Sequence, residues 1–205
     1  MTSVLQLRTL FIISLTLVAT ACVPVWQQRP DISPETLWQA RRLQLLQLDR
    51  WQIQGRTVIT QYREAWNAGL RWQQNHGAYQ IKLLGPFAQG GVTLDGDQEQ
   101  VVLTMEDGQQ VSSSSPEALI AEIMGVNIPI SALRDWLRGL PHGQTNIEFI
   151  HFDDQGRLTR LKQQGWDIEF LRYVPFEHYS MPSKIFIKQA DLSLRLIITS
   201  WDSVQ

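Results

Sequence analysis

The chain has 205 residues, of which 43% are apolar and 19% charged, and its 18 basic and 20 acidic residues leave a net charge of −2. That balance describes a globular protein, excludes a disordered chain and disfavours a nucleic-acid binder, which would carry a large basic excess. A single cysteine excludes an internal disulfide framework and a cysteine-based zinc site.

Residues Leu10 to Ala21 read LFIISLTLVATA, follow Arg8 and end at Cys22. This run is broken by Ser14, Thr16 and Thr20 and falls short of the ~20 apolar residues that a membrane span needs. A basic start, a short apolar core and small residues at its end mark an export signal. Ala19-Thr20-Ala21-Cys22 looks like a bacterial lipobox, in which the cysteine thiol becomes a thioether to diacylglycerol, the peptide is cut before it and the new amine is acylated. The alternative is an ordinary secretory signal with an incidental Cys22. Val23, not Asp, follows the cysteine, which points to the outer membrane. The expected organisation is a lipoprotein signal peptide over 1–21, a lipidated tether over 22–32 and one domain over 33–205. Removing 1–21 deletes one basic residue, Arg8, and no acidic one, so the net charge moves from −2 to −3. Several acyl chains make a stable anchor.

Ser33-Pro34-Glu35 supplies an N-cap, a first-turn proline and a first-turn acid, which predicts a helix over 33–49. From Trp51 the apolar period becomes two, the mark of half-buried strands. Strands are expected over 51–60, 65–74, 78–84, 91–95 and 99–105, with turns at Asn75-His76-Gly77, Gly85-Pro86, Asp95-Gly96-Asp97 and Asp107-Gly108. Ser112 to Ser115 reads as a loop feeding a second cap, Ser115-Pro116-Glu117. A helix then carries Leu119, Ile120, Ile123 and Met124, and another, over about 131–140, carries Ile130, Leu133, Trp136, Leu137 and Leu140. Strands return over 145–152, 157–163, 166–173, 184–189 and 192–201. The class is mainly β with helices (α+β): one antiparallel sheet, an N-terminal helix and a helical pair inserted mid-chain. A curved sheet of that size must bury its inner face or line a cavity with it, and the helical pair is available as cover.

Catalytic constellations are scarce, and the expectation is that the protein is not an enzyme. The four histidines have no metal-ligand spacing, and nucleophile elbows and phosphate loops are absent from the sequence. Asp153-Asp154 sits in a turn, where a structural role outweighs acid–base work. Two apolar features stand out. Phe87 lies among turn formers in Gly85-Pro86-Phe87-Ala88-Gln89-Gly90-Gly91, so it either folds onto the core or stands exposed at a loop tip. Eight tryptophans form either a core rich in large rings or the wall of an apolar ligand cavity.

The segment Asn127-Ile128-Pro129-Ile130-Ser131-Ala132-Leu133-Arg134-Asp135-Trp136-Leu137-Arg138-Gly139-Leu140-Pro141 resembles the P-[IL]-x-x-L-x-x-W-x-x-G-L-P signature of the LolB family of outer-membrane lipoproteins. Leu70-Arg71-Trp72-Gln73-Gln74, Met181-Pro182 and the Trp201 end are similar to that family too, and the order of elements agrees along nearly the whole chain. The resemblance implies an unclosed antiparallel β-barrel covered by short helices, shared with the soluble periplasmic carrier LolA, and a LolB-like lipoprotein-binding domain over 33–205.

It implies a receptor that takes triacylated lipoproteins from LolA and inserts them into the outer membrane by non-covalent acyl-chain transfer through an apolar cavity. The implied partners are LolA, the lipoprotein cargo and the inner leaflet of the outer membrane, with no nucleic acid. No cofactor is expected beyond the diacylglycerol and N-acyl lipid on Cys22, and a monomer is the default. Phe87, after Pro86, matches the family's exposed apolar loop residue, with an aromatic ring where leucine is usual. Trp51, Ile53, Leu83, Ile123, Ile130, Leu133, Trp136, Leu137, Leu140 and Trp166 are the candidates for the acyl cavity. A strand arginine found in some members is unmatched, since Gln54 precedes Gly55 and Arg56 follows it. The alternative from another class is an assembly lipoprotein with a solid core that scaffolds an envelope complex.

Overall fold

The computed structural model describes residues 32–85, 91–143 and 146–204. Cys22, Pro86 and Phe87 lie outside the described residues, as do the expected signal peptide and all of the tether except Ile32.

The Ser33 hydroxyl accepts the Thr36 N–H at 3.3 Å and opens helix α1 (Pro34–Leu46). The helix stops at Leu46 rather than near 49 because Leu48 turns into the core and closes a tight last turn onto the Leu45 carbonyl. α1 buries Trp38 and Leu45, and Trp38 stacks on Phe152 with ring centroids 5.2 Å apart.

The strands are β1 (Arg50–Gln61), β2 (Glu64–Asn75), β3 (Ala78–Leu84), β4 (Val92–Gly96), β5 (Val101–Met105), β6 (Gln110–Ser113), β7 (Ile147–Phe152), β8 (Leu158–Gln163), β9 (Trp166–Phe176), β10 (Tyr179–Gln189) and β11 (Leu192–Asp202). They form one open antiparallel sheet in the order β6-β5-β4-β3-β2-β1-β11-β10-β9-β8-β7. Two meanders are therefore joined by pairing of the first strand with the last. At that seam β1 carries a bulge between Gln54 and Gly55. A Cβ on Gly55 would lie 2.2 Å from the Ile197 carbonyl oxygen, so only glycine permits the approach.

Strand alternation sets the inner face. β1 turns Trp51, Ile53, Thr57 and Ile59 inward, and β11 turns Leu192, Leu194, Leu196 and Ile198 inward. Helices α2 (Pro116–Met124) and α3 (Ile130–Leu137) stand between β6 and β7 in the chain and add their buried residues to the same core. Ser115 caps α2 through the Ala118 N–H at 3.2 Å, and Gly125 ends it at φ 70°. α3 ends at Leu137, earlier than the predicted 140, because Gly139 turns to φ 76° and the Leu140 N–H folds back onto the Asp135 carbonyl.

Two other expectations are corrected. Gln110–Ser113 pairs with β5, placing Ser112 opposite Val102, where a serine loop was expected from 112. β9 and β10 run on past the predicted limits at 173 and 184 and turn at Glu177, with φ 52°. Pro175 and Pro182 look like stops, but a register shift between Pro182 and Lys184 lets β10 continue through the proline.

Candidate functional site

Between the inner face of the sheet and α3 lies an apolar cavity of about 50 Å³. Thr57 and Ile59 of β1, Leu70 and Trp72 of β2, and Ile81 and Leu83 of β3 form one wall. Leu194 and Leu196 of β11 extend it, and Ile128, Ile130, Leu133 and Leu137 cover it. The β1–β11 seam brings this wall together, because Thr57 pairs with Leu196 and Ile59 with Leu194.

Four of the expected cavity residues are on this lining: Leu83, Ile130, Leu133 and Leu137. The other six lie in or against the packed interior. Trp51 is fully buried with its ring 5.8 Å from Trp72 and 5.4 Å from Trp201, and Ile53 is its inward neighbour on β1. Trp136 is fully buried 6.1 Å from Trp166. Leu140 is buried past the end of α3, and Ile123 is half-buried on α2. Trp38, Trp51, Trp136, Trp166 and Trp201 thus serve ring packing and not the lining, whereas Trp72 does both. Thr57, Ile59, Leu70, Ile81, Ile128, Leu194 and Leu196 were not expected as lining, and Trp72 is the one described tryptophan that stands on the wall. Their alternation marks the inner face, but which strands face α3 depends on the long-range β1–β11 pairing.

An apolar hole of roughly 150 Å³ holds one benzene ring. At about 50 Å³ this cavity holds no fatty tail unless its cover moves.

The cover is held by a few polar ties. Pro129 gives α3 no side-chain cap, so Glu117 of α2 supplies one: its Oε1 accepts the Ser131 N–H at 2.8 Å, and its Oε2 accepts the Ser115 hydroxyl at 3.3 Å. Burial raises the Glu117 pKa, but the hydrogen bonds from Ser131 and Ser115 outweigh it and hold the carboxyl below its ordinary value. The Tyr79 phenol is pushed up to about 12 by burial and by the charge of Glu117.

At the other end of α3, Arg138 donates to the Leu48 carbonyl at 2.8 Å and to the Leu45 carbonyl at 3.3 Å, closing the end of α1. It also bonds Asp135, whose second oxygen meets His142 Nδ1 at 2.7 Å. The Trp-x-x-Gly-Leu-Pro stretch is therefore a fastening for the covering helix.

Asp153 belongs to its turn. Its Oδ1 accepts the Gln155 and Arg157 N–H groups at 3.0 and 2.9 Å, and its Oδ2 pairs with the Arg157 guanidinium. Burial opposes its ionisation, but these bonds outweigh that and hold its pKa down.

A family model described as "Outer membrane lipoprotein LolB" matches residues 49–201. An outer-membrane lipoprotein LolB of Nitrosococcus oceani is 36% identical over 192 residues, covering 94% of this chain and 95% of its own length. The one of Pseudomonas aeruginosa is 36% identical over 168 residues, 82% of each chain. In three dimensions the chain is similar to the crystal structure of a LolA superfamily protein of Nitrosomonas europaea, with a TM-score of 0.54 and 7% identity, over 85% of this chain and 94% of that one. At that identity the likeness is one of fold.

Proposed function

The chain belongs to the outer membrane lipoprotein LolB family, and from that premise we propose that it accepts lipoproteins from the periplasmic carrier LolA and passes them to the outer membrane. The observation that carries the reading is the apolar cavity held between the sheet and α3. Three acyl chains of roughly 16 carbons in water would cost on the order of tens of kcal/mol, at about 0.8 kcal/mol per methylene. A receiver has only to hide them, and no bond is made or broken.

In the described conformation the cover is closed. Acyl chains enter by displacing α3, which breaks the Glu117–Ser131 bond to α2 and the Arg138 bonds to the Leu45 and Leu48 carbonyls and opens the wall formed by Leu70, Ile81, Leu194 and Leu196. Each such tie contributes about 1–3 kcal/mol, well below what burial of one tail returns. Aliphatic walls set no fixed geometry, which suits cargoes of different sequence. Transfer runs forward because cargo binds this cavity more favourably than the carrier's, and only such a difference gives direction. Cys22 carries the lipid that keeps the protein at the membrane surface facing the periplasm, and Phe87 enters the inner leaflet and eases release. No helix among the described residues is long and apolar enough to cross a membrane.

The test is direct. The full chain carrying Cys22→Ser is mixed with LolA loaded with a labelled triacylated lipoprotein, and the two proteins are separated. The label moves to this chain if the reading is right. Label that stays on the carrier under all conditions overturns it and favours the scaffold alternative.

A further inference from the structure

Four buried side-chain polar atoms have no hydrogen-bond partner among the described residues: Arg41 Nε, Trp51 Nε1, Thr57 Oγ1 and Ser183 Oγ. Arg41 is otherwise engaged, with its Nη2 on the Ser180 carbonyl and its guanidinium over the Tyr173 ring. Trp51 stands inside a cluster of rings, and Ser183 falls at the register shift of β10. Thr57 differs, because it lines the apolar cavity.

Thr57 is 3% exposed and lies on the inner face of β1, opposite Ala68 of β2 and Leu196 of β11. A hydroxyl carries one donor and two lone pairs, and burying it unpaired in hydrocarbon is unfavourable. Valine has nearly the same shape and would avoid that cost. The lining brings no charge, so a ligand that meets this hydroxyl is itself neutral there. The aliphatic wall around it accepts a hydrocarbon tail. A neutral hydrogen-bond acceptor attached to a tail is an acyl carbonyl.

We propose that Thr57 recognises the carbonyl of an acyl chain in the cavity, its Oγ–H donating to the carbonyl oxygen while Leu70, Leu194 and Leu196 receive the methylenes. This inference rests on the reading of the cavity as an acyl-binding site. It makes the cavity selective for acyl esters over plain hydrocarbon of the same length.

The experiment compares two probes that differ by one carbonyl, 1-palmitoylglycerol and its ether 1-O-hexadecylglycerol. Each competes with a fluorescent apolar dye for the full chain carrying Cys22→Ser, so that its own lipid does not compete. The parent binds the ester about five- to tenfold more tightly than the ether, the factor expected of one neutral hydrogen bond. Adding Thr57→Val abolishes the preference by weakening the ester alone, and adding Thr57→Ser, which keeps the hydroxyl, retains it. The Thr57→Val chain is at least as resistant to urea as the parent, which separates lost recognition from lost folding. Equal binding of both probes by the parent, or a preference that survives Thr57→Val, overturns the role of Thr57 and leaves the acyl cavity standing. Binding of neither probe overturns the acyl cavity and the inference with it.

Discussion

The Trp136 indole N–H donates to Gln163 Oε1 at 3.2 Å, and this bond ties α3 to β8 in the interior. The same oxygen accepts the His142 N–H at 2.9 Å, and Gln163 Nε2 donates to the His142 carbonyl at 2.7 Å. One fully buried amide thus satisfies three groups that burial would otherwise leave unpaired. Gln163→Leu keeps most of the volume and removes all three bonds. Its unfolding free energy should fall by about 2–4 kcal/mol in urea titration, since stranded buried groups cost more than the bonds themselves contribute. A loss smaller than about 0.5 kcal/mol would show that the fastening is dispensable, because even one net hydrogen bond contributes that much.

Glu117 should make the cover sensitive to acid. Its carboxyl is held below its ordinary value of 4.5 in the folded state, so the stabilisation is complete above that pH and is lost as pH falls through the lower folded value. Amide exchange in α2 and in the first turn of α3 should therefore be unchanged from pH 7 to 5 and should quicken, once corrected for intrinsic rates, only on the acid side of 4.5. Glu117→Ala removes the cap at every pH and should cost about 1 kcal/mol, read as faster exchange at Ser131 already at pH 7. Exchange at Ser131 that is indifferent to the substitution would mean that α3 does not rely on Glu117.

How far the sequence reaches depends on the range of the interactions. Ser33 and Ser115 announce their helices because a cap acts over three residues, and the inward set of β1 is legible because alternation is a property of one strand. The Glu177 turn left no local mark, since it holds positive φ without glycine or asparagine and the strands on either side run past the expected limits. Fewer than half of the twelve lining residues were visible. Leu133 and Leu137 stand out on a stripe of α3, but Leu194 reaches them only because β11 pairs with β1 across most of the chain. Trp51 misled because a large ring reads equally as a wall and as a plug, and only its approach to Trp72 and Trp201 decides.

If Cys22 carries the lipid, its substitution separates anchoring from uptake. Cys22→Ser removes the proposed site of lipidation and should leave the described domain unchanged. The protein should leave the membrane fraction for the soluble periplasmic extract while still receiving cargo from the carrier in solution. Retention in the membrane fraction after extraction with high salt would show that something other than this lipid holds it there.

Phe87, which the resemblance matches to the family's exposed apolar residue, should act at delivery and not at uptake. Burial of one such ring in lipid contributes about 2 kcal/mol. Phe87→Glu replaces that gain with a charge, so release of cargo into liposomes should slow at least tenfold while capture from the carrier keeps its rate. Equal loss of both steps would assign Phe87 to the domain core, and loss of neither would remove the loop from the mechanism.

Leu133 and Leu83 face the same cavity from opposite sides, one on α3 and the other on β3. Leu171 of β9 is 54% exposed and belongs to the other surface of the sheet. If acyl chains pass between sheet and helix, a benzoylphenylalanine at either lining position should form an adduct with the lipid part of a cargo after transfer, and one at Leu171 should not. The reasoning is geometric, because the photoreactive ketone reaches only a few ångströms and a tail lying against Leu70 and Leu194 is within that reach from both walls. Capture at Leu171 alone would move the acyl path to the outer face of the sheet. Capture at Leu133 without Leu83 would place the tails against the helix and away from β3, and would predict that substitutions on β3 leave transfer untouched.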